Sequence, residues 1–447
     1  MKKTIFLLII VSIFKIVLTE DYLTIYNNNQ GLFKTQVELN LERGIQYYSL
    51  ENIPTGIITE SVTFIPKDKN LHLFNQNFEY DLASSDKMLR KYIDKNVKVF
   101  TEQETFQGTL IFFDNQNFGL KNEQTNELQI IKSAKVNNIF LSEMPSDFYT
   151  RPTLRWQLSA NNKAKYTADL SYLTAGIEWK ATYNAVINKN DLTLNSWVTI
   201  NNRSGKIYDQ VNLKLIAGDV QTHQNLMSMN NIRGGRANEI QYGVVRDAPT
   251  FVEREFSDFR IYTLDQKVDI DNNQEKQLSL YPLKNVKYVK KYEYQIGSSI
   301  VDVFITFKNS TANGLGVPLP RGNINFYEID DKDGTQQFVG VATLENTSLN
   351  QDVSLRTGAA FDIVGKTTTI SSSSTGRSNE AEYEVSITNN KSEAIEIEAI
   401  KKLNHVNSEV LTPSIPFERK DANTVIFKIK LNPGQERKIT FKERATW

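Results

Sequence analysis

No cysteine occurs anywhere in the 447 residues. That excludes disulfides, thiol nucleophiles, thiolate zinc sites, iron–sulfur clusters and a lipid carried on an N-terminal cysteine. Histidine is nearly as scarce. His72, His223 and His405 are the only three, each far from the others in sequence, so imidazole catalysis has little to work with. Net charge is missing too. Lys plus Arg equal Asp plus Glu at 52 each, which leaves no electrostatic case for a nucleic acid or an anionic membrane as partner. After the first residues no apolar run is long enough to cross a bilayer, so no membrane span is expected in the mature chain.

The first residues read as a targeting segment. Lys2 and Lys3 precede an apolar run from Ile5 to Ile13, and Lys15 breaks it before Glu20 and Asp21. The run is too short for a span, so residues 1–19 are expected to be a signal peptide. Val17-Leu18-Thr19 stands where a small-residue cleavage site would be, which places the cut after Thr19 and the mature protein in the periplasm or outside the cell. Beyond it, hydrophobic residues make up 40 % of the chain and aromatics 11 %, enough to bury sizeable cores. The length calls for two or three domains.

Most of that length reads as β-structure. Residues 20–83 form an N-terminal strand region, with a turn at Asn27–Gly31 and an alternating run in which Val37, Leu39 and Leu41 share a face. Ser84-Ser85-Asp86 followed by Met88, Leu89, Tyr92 and Ile93 is a capped helical pattern, the best helix signal in the chain, near residues 84–94. Short apolar runs at 97–100, 106–113, 118–120, 128–131 and 136–141 then predict a small SH3- or Sm-like barrel, so that 84–142 is a helix plus barrel. Pro145 and Pro152 mark a linker. From 153 to 447 half-buried strands follow in series, as in Leu192, Leu194, Val198 and Ile200, and predict one or more β-sandwiches. The stretch 222–249, rich in Asn, Gly and Met, is expected to be a mobile surface loop. The fold class is therefore all-β, multi-domain, with one short helix.

Catalytic motifs fail on context. Ala360–Thr367 fits a permissive phosphate-loop pattern, but Thr368-Thr369-Ile370 and a serine run follow where a helix is required. Asp330-Asp331-Lys332-Asp333-Gly334 lacks a calcium loop's first and last ligands, Ile329 and Gly340 standing there, and reads as a hairpin turn. No strained nucleophile turn is present, no catalytic residue can be named, and neither metal nor cofactor is expected. Trp156, Trp179 and Trp197 could offer a sugar-stacking surface, although aromatics at strand spacing are more often core. Arg233-Gly234-Gly235-Arg236, inside the 222–249 loop, is the other contact candidate, so Arg233, Arg236, Trp156 and Trp197 are the ligand-binding candidates. Asn202, Asn309, Asn346 and Asn390 stand in glycosylation sequons, which matter only in a eukaryotic host.

A family pattern runs through these strands. Leu170-Ser171-Tyr172-Leu173-Thr174, Gly176, Trp179 and Tyr183 lead through Asn202-Arg203-Ser204-Gly205 to Leu215–Val220. Further motifs are Gly314–Gly322, Gly358-Ala359-Ala360-Phe361-Asp362-Ile363-Val364 and the closing Trp447, with an echo at Gln76–Leu82. Together they resemble a large, mainly bacterial family of exported proteins known as domain of unknown function 4139 (DUF4139), some of whose members are called mucoidy inhibitors. The resemblance implies export and β-structure and carries over no catalytic residue. The mucoidy-inhibitor type has an N-terminal coiled coil; this chain has no heptads and shows the small barrel instead. The expected function is a non-catalytic envelope or extracellular protein that binds a protein or polysaccharide or serves structurally. The alternative is a secreted hydrolase acting on polysaccharide with a carboxylate pair.

Overall fold

A computed structural model describes residues 20–80, 84–141, 148–189, 191–218, 250–405 and 407–446. The expected signal peptide at 1–19, the 222–249 loop with Arg233 and Arg236, and Trp447 lie outside these residues. The chain is all-β and multi-sheet, and the one α-helix among the described residues is Ser85–Arg90. It winds back and forth between two compact units. The first comprises Met1–Glu178, Asn201–Leu215 and Gln266–Glu275; the second comprises Trp179–Ile200, Ile216–Asp265 and Lys276–Trp447.

In the first unit the turn at Asn27–Gly31 joins Tyr22–Tyr26 to Gln30–Leu41 as an antiparallel pair. Ala164–Ala175 lies along the other side of Gln30–Leu41 in unbroken register, from Ala164 opposite Leu41 to Ala175 opposite Gln30. Alternation sends Val37, Leu39 and Leu41 inward, and Tyr166, Ala168, Leu170 and Tyr172 are buried on the partner strand. Each such large apolar side chain contributes about 1.5–3 kcal/mol by leaving water. A three-stranded sheet is centred on Thr153–Ala160, flanked by Gly44–Leu50 and Leu71–Glu79. Pairing therefore crosses the proline-marked linker and joins the N-terminal strands to the start of the 153–447 stretch.

The small module follows its sequence signals closely. Ser84 Oγ accepts a hydrogen bond from the Lys87 backbone N–H at 3.1 Å and caps the helix. The five predicted strands form one sheet in the spatial order Val136–Leu141, Asn96–Thr101, Thr105–Phe113, Asn117–Lys121, Leu128–Lys132. Tyr92, Val97, Val99, Leu110 and Leu120 make its core. The barrel is not closed all round by hydrogen bonds. The edge strands Leu128–Lys132 and Val136–Leu141 are joined by the single turn Ser133–Lys135 and share no hydrogen-bonded ladder.

The second unit holds a five-stranded sheet in the order Gln274–Lys287, Asp191–Asn202, Ile177–Ile187, Gly322–Ile329, Gln336–Leu344. It also holds a β-sandwich. A six-stranded sheet, including Val289–Gln295, Val301–Lys308, Asp352–Ala359, Ile395–Lys402 and Thr424–Leu431, shares a core with a four-stranded sheet that includes Ile363–Thr375, Ser378–Asn389 and Glu436–Thr446. Tyr294, Ile397 and Phe427 meet Val385, Ile387 and Phe441 in that core. The hairpin read at Asp333-Gly334 is present, with Ile329 opposite Gln336 and Gly334 at φ +72°. At Gly340 the strand Gln336–Leu344 comes so close to its neighbour that an added Cβ would sit 2.1 Å from the Thr357 carbonyl oxygen.

Candidate functional site

The family motifs are mostly structural devices. Gly176 takes φ +83°, and its carbonyl accepts from the Arg203 N–H at 2.6 Å. The Trp179 indole donates to the Ile216 carbonyl at 3.1 Å. Around the Val317–Pro320 segment the Tyr183 hydroxyl donates to the Pro320 carbonyl (2.8 Å), while Tyr281 (2.7 Å) and Tyr262 (3.4 Å) both donate to that of Pro318. Burial pushes all three phenols well above the ordinary tyrosine range. Asn309 closes the same segment, donating to Val317 O and accepting from Gly316 N–H.

One motif residue is not used in this way. In Gly358–Val364, Ala360 N–H donates to Val301 O, the Asp362 carbonyl accepts from Asn390 N–H at 2.8 Å, and Ile363 is buried. Phe361 between them is 96 % exposed. A large aromatic ring held open to water, on a loop fixed at both flanks, is the combination found at contact sites rather than in cores.

Phe361 stands at a cavity of about 220 Å³, with Tyr292, Lys391, Lys290, Glu328 and Asp362 also in its lining. Tyr292 belongs to the inner face of Val289–Gln295, and its buried hydroxyl finds no acceptor for its own proton, its polar neighbour being the Lys391 ammonium. Burial pushes that hydroxyl up, and the Lys391 ammonium offsets part of the rise. Lys391 sits in the turn after Ser378–Asn389. There Asn389 donates to the carbonyls of Glu393, Leu431 and Asn432 and accepts from Lys391 N–H. The turn thus holds the ammonium 5.9 Å from the Tyr292 ring centroid. Burial works against its charge, but Tyr292 and Glu393 outweigh it and keep Lys391 protonated above the ordinary lysine range.

A second, larger groove of about 720 Å³ lies on the outer face of the six-stranded sheet. It contains Glu293 and Glu398, register partners on parallel strands, hence about 5 Å apart along the hydrogen-bonding direction. Burial, then the Glu398 charge, raises the Glu293 carboxyl above the ordinary range, and Lys420 partly opposes this.

The sequence candidates fall elsewhere. Trp156 is fully buried and its indole donates to Gln76 Oε1 at 2.8 Å, so its ring is core and offers no stacking face. Trp179 is likewise buried, and Trp197 is half-buried on Asp191–Asn202. Of the sequon asparagines, Asn202 and Asn309 are buried, while Asn346 and Asn390 are exposed. Composition pointed to none of Phe361, Tyr292 or Lys391, and although Phe361 falls in the Ala360–Thr367 match and the Gly358–Val364 motif, neither gave it a role. The available signal was Phe361 itself, an aromatic between Ala-Ala and Asp that fits no alternating strand face.

These features define a multi-sheet β-protein with a loop-rimmed pocket at one sandwich. Residues 168–447 match the family model described as a domain of unknown function (DUF4139), and the chain belongs to that family. Comparison with the curated proteins gave no match.

Proposed function

We propose that this chain is an exported, non-catalytic binding protein that holds a polysaccharide or protein ligand at the Phe361 pocket. The observation that carries the reading is Phe361: a solvent-exposed ring on a fixed loop, over a cavity whose Tyr292 hydroxyl has no internal acceptor. Burial of such a ring against a ligand is the usual source of binding energy at small contact sites. The test is capture of polysaccharides and surface proteins by the immobilised chain. Phe361→Ala is expected to abolish capture without changing the near-ultraviolet circular dichroism; unchanged capture would remove the assignment. Export is checked by N-terminal sequencing of the secreted chain, expected to begin at Glu20.

A second reading, a polysaccharide hydrolase, is favoured by Glu293 and Glu398. Side-by-side carboxylates, one with a raised proton affinity, have the makings of a general acid and its partner. Turnover of a glycan that Glu293→Gln abolishes would select this reading over the first.

A further inference from the structure

The Phe361 pocket is lopsided in its donors and acceptors. Tyr292 is 5 % exposed and lines the cavity, yet its hydroxyl meets no acceptor. Tyr172 also has a buried hydroxyl without a partner, but it lines neither of the two cavities described above. Beside Tyr292 stands the Lys391 ammonium, whose carboxylate partner Glu393, at 3.3 Å, has a side chain 63 % exposed. Such a surface pair is weak and easily exchanged. The Tyr292 O–H, which has no acceptor, and the Lys391 ammonium, shared between Tyr292 and Glu393, therefore line one space, with Lys290 as a second cation in the lining. Glu328 and Asp362 line the same cavity and can accept hydrogen bonds from neutral hydroxyls. The volume, about 220 Å³, is below the range of roughly 300–1,000 Å³ that encloses whole small-molecule ligands, so it fits one unit or side group of a longer molecule.

We propose that this pocket takes an anionic oxygen group, a carboxylate or a sulfate, borne by a polysaccharide. The anionic oxygen accepts from the Tyr292 hydroxyl and the Lys391 ammonium. Phe361 packs on the adjoining sugar face, and Glu328 and Asp362 accept from sugar hydroxyls. A polysaccharide fits better than a peptide because an exposed ring, two donors for an anion and two carboxylates for hydroxyls converge on one small space. The proposal rests on the binding reading above and adds the ligand's chemistry to it.

The test titrates the full chain calorimetrically with oligomers of polygalacturonate, dextran sulfate and dextran, matched in length. One of the two anionic polymers is expected to bind, and dextran to bind at least about tenfold more weakly. Which anionic polymer binds separates carboxylate from sulfate. Tyr292→Phe, which keeps the ring in the core, should weaken the anionic polymer about tenfold and leave dextran unchanged. Lys391→Gln should do the same and flatten the dependence on salt. Equal binding of dextran, or anionic binding that survives Tyr292→Phe, overturns the proposal. Capture of a neutral glycan or a protein that is lost with Phe361→Ala but kept with Tyr292→Phe would leave the binding reading standing and sink only the anion. Phe361→Ala without effect on any ligand sinks both.

Discussion

Asn202 and Asn389 belong to different units, yet each is held by the same set of bonds. Each carboxamide donates to the carbonyl four residues on, Lys206 or Glu393, and to two successive carbonyls at the end of another strand, Ile270 and Asp271 or Leu431 and Asn432. Each side-chain oxygen accepts from the backbone N–H two residues on. Val198 and Ile200 precede the first at intervals of two, as Val385 and Ile387 precede the second, and all are buried. The same local sequence has built the same strand-end clamp twice.

Asn389→Ala should therefore destabilise the protein by about 2–4 kcal/mol, since three carbonyls lose a buried donor. Urea unfolding midpoints measure it. A shift corresponding to less than about 0.5 kcal/mol, the size of an ordinary surface substitution, would mean the clamp is incidental. Because Asn389 also fixes Lys391, the variant should weaken ligand capture even where it remains folded.

Lys401 and Glu443 form an ion pair at 3.1 Å, both largely removed from water. The Lys401 ammonium lies 4.4 Å from the Tyr383 ring centroid, and Glu443 Oε1 accepts from Asn404 N–H. Lys401→Met or Glu443→Leu alone is expected to cost about 3–5 kcal/mol, because the remaining charge is stranded. The double variant should recover most of that loss. A double-mutant cycle by chemical denaturation decides it, and additive costs would argue against coupling.

Alkaline pH should unfold the chain cooperatively. Burial raises Tyr208 to about 12, with Ser204 partly opposing, and drives Tyr172 and Tyr183 up as well. The unfolded phenols ionise near pH 10, so above that pH the unfolded state binds fewer protons than the native one and stability falls. The contribution is complete below about pH 10 and, for Tyr208, is lost as pH rises through 12. Phenolate absorbance and loss of near-ultraviolet dichroism should rise together; phenolate formation well before unfolding would show these rings to be accessible.

Glu293→Gln separates the two functional readings at the level of stability as well. Its raised carboxyl favours the protonated form in the native state, so its contribution is present below the unfolded value and lost as pH rises through the folded one. The neutral amide should leave stability at pH 7 unchanged or slightly higher, by under about 1 kcal/mol. A marked loss of stability would show that the carboxylate is structural.

In a eukaryotic secretory host, glycopeptide mapping should find sugar on Asn346 and Asn390 alone among the four sequons. The amides of Asn202 and Asn309 are spent on buried carbonyls and cannot carry a glycan in the folded chain. A glycan on either of those two would contradict their described positions.

The strands and the single helix were legible because alternation at Val37–Leu41 or Leu192–Ile200, and a serine ahead of Met88 and Leu89, are local signals. Closure of the small module was not, since five short runs specify strands without saying which of them pair: Val136–Leu141 joins Asn96–Thr101 but not its chain neighbour Leu128–Lys132. The site was hidden for a related reason. Tyr292 and Asp362 come together only through the parallel and antiparallel pairings of distant segments, and no spacing in the chain encodes that. Trp156 shows the converse: an aromatic at strand spacing is equally compatible with core and surface until its indole is seen bonded to Gln76.

The close approach of Gly340 to Thr357 has a consequence for solubility. Gln336–Leu344 is the last strand of its sheet and exposes Phe338 and Val341, with no proline or lysine along it to deter a foreign strand. The Thr357 carbonyl instead covers the face of the strand at Gly340, so that at mid-strand it lies against Asp352–Ala359. Gly340→Ala would prise the two apart, and the variant should form fibrils on concentration more readily than the unaltered chain.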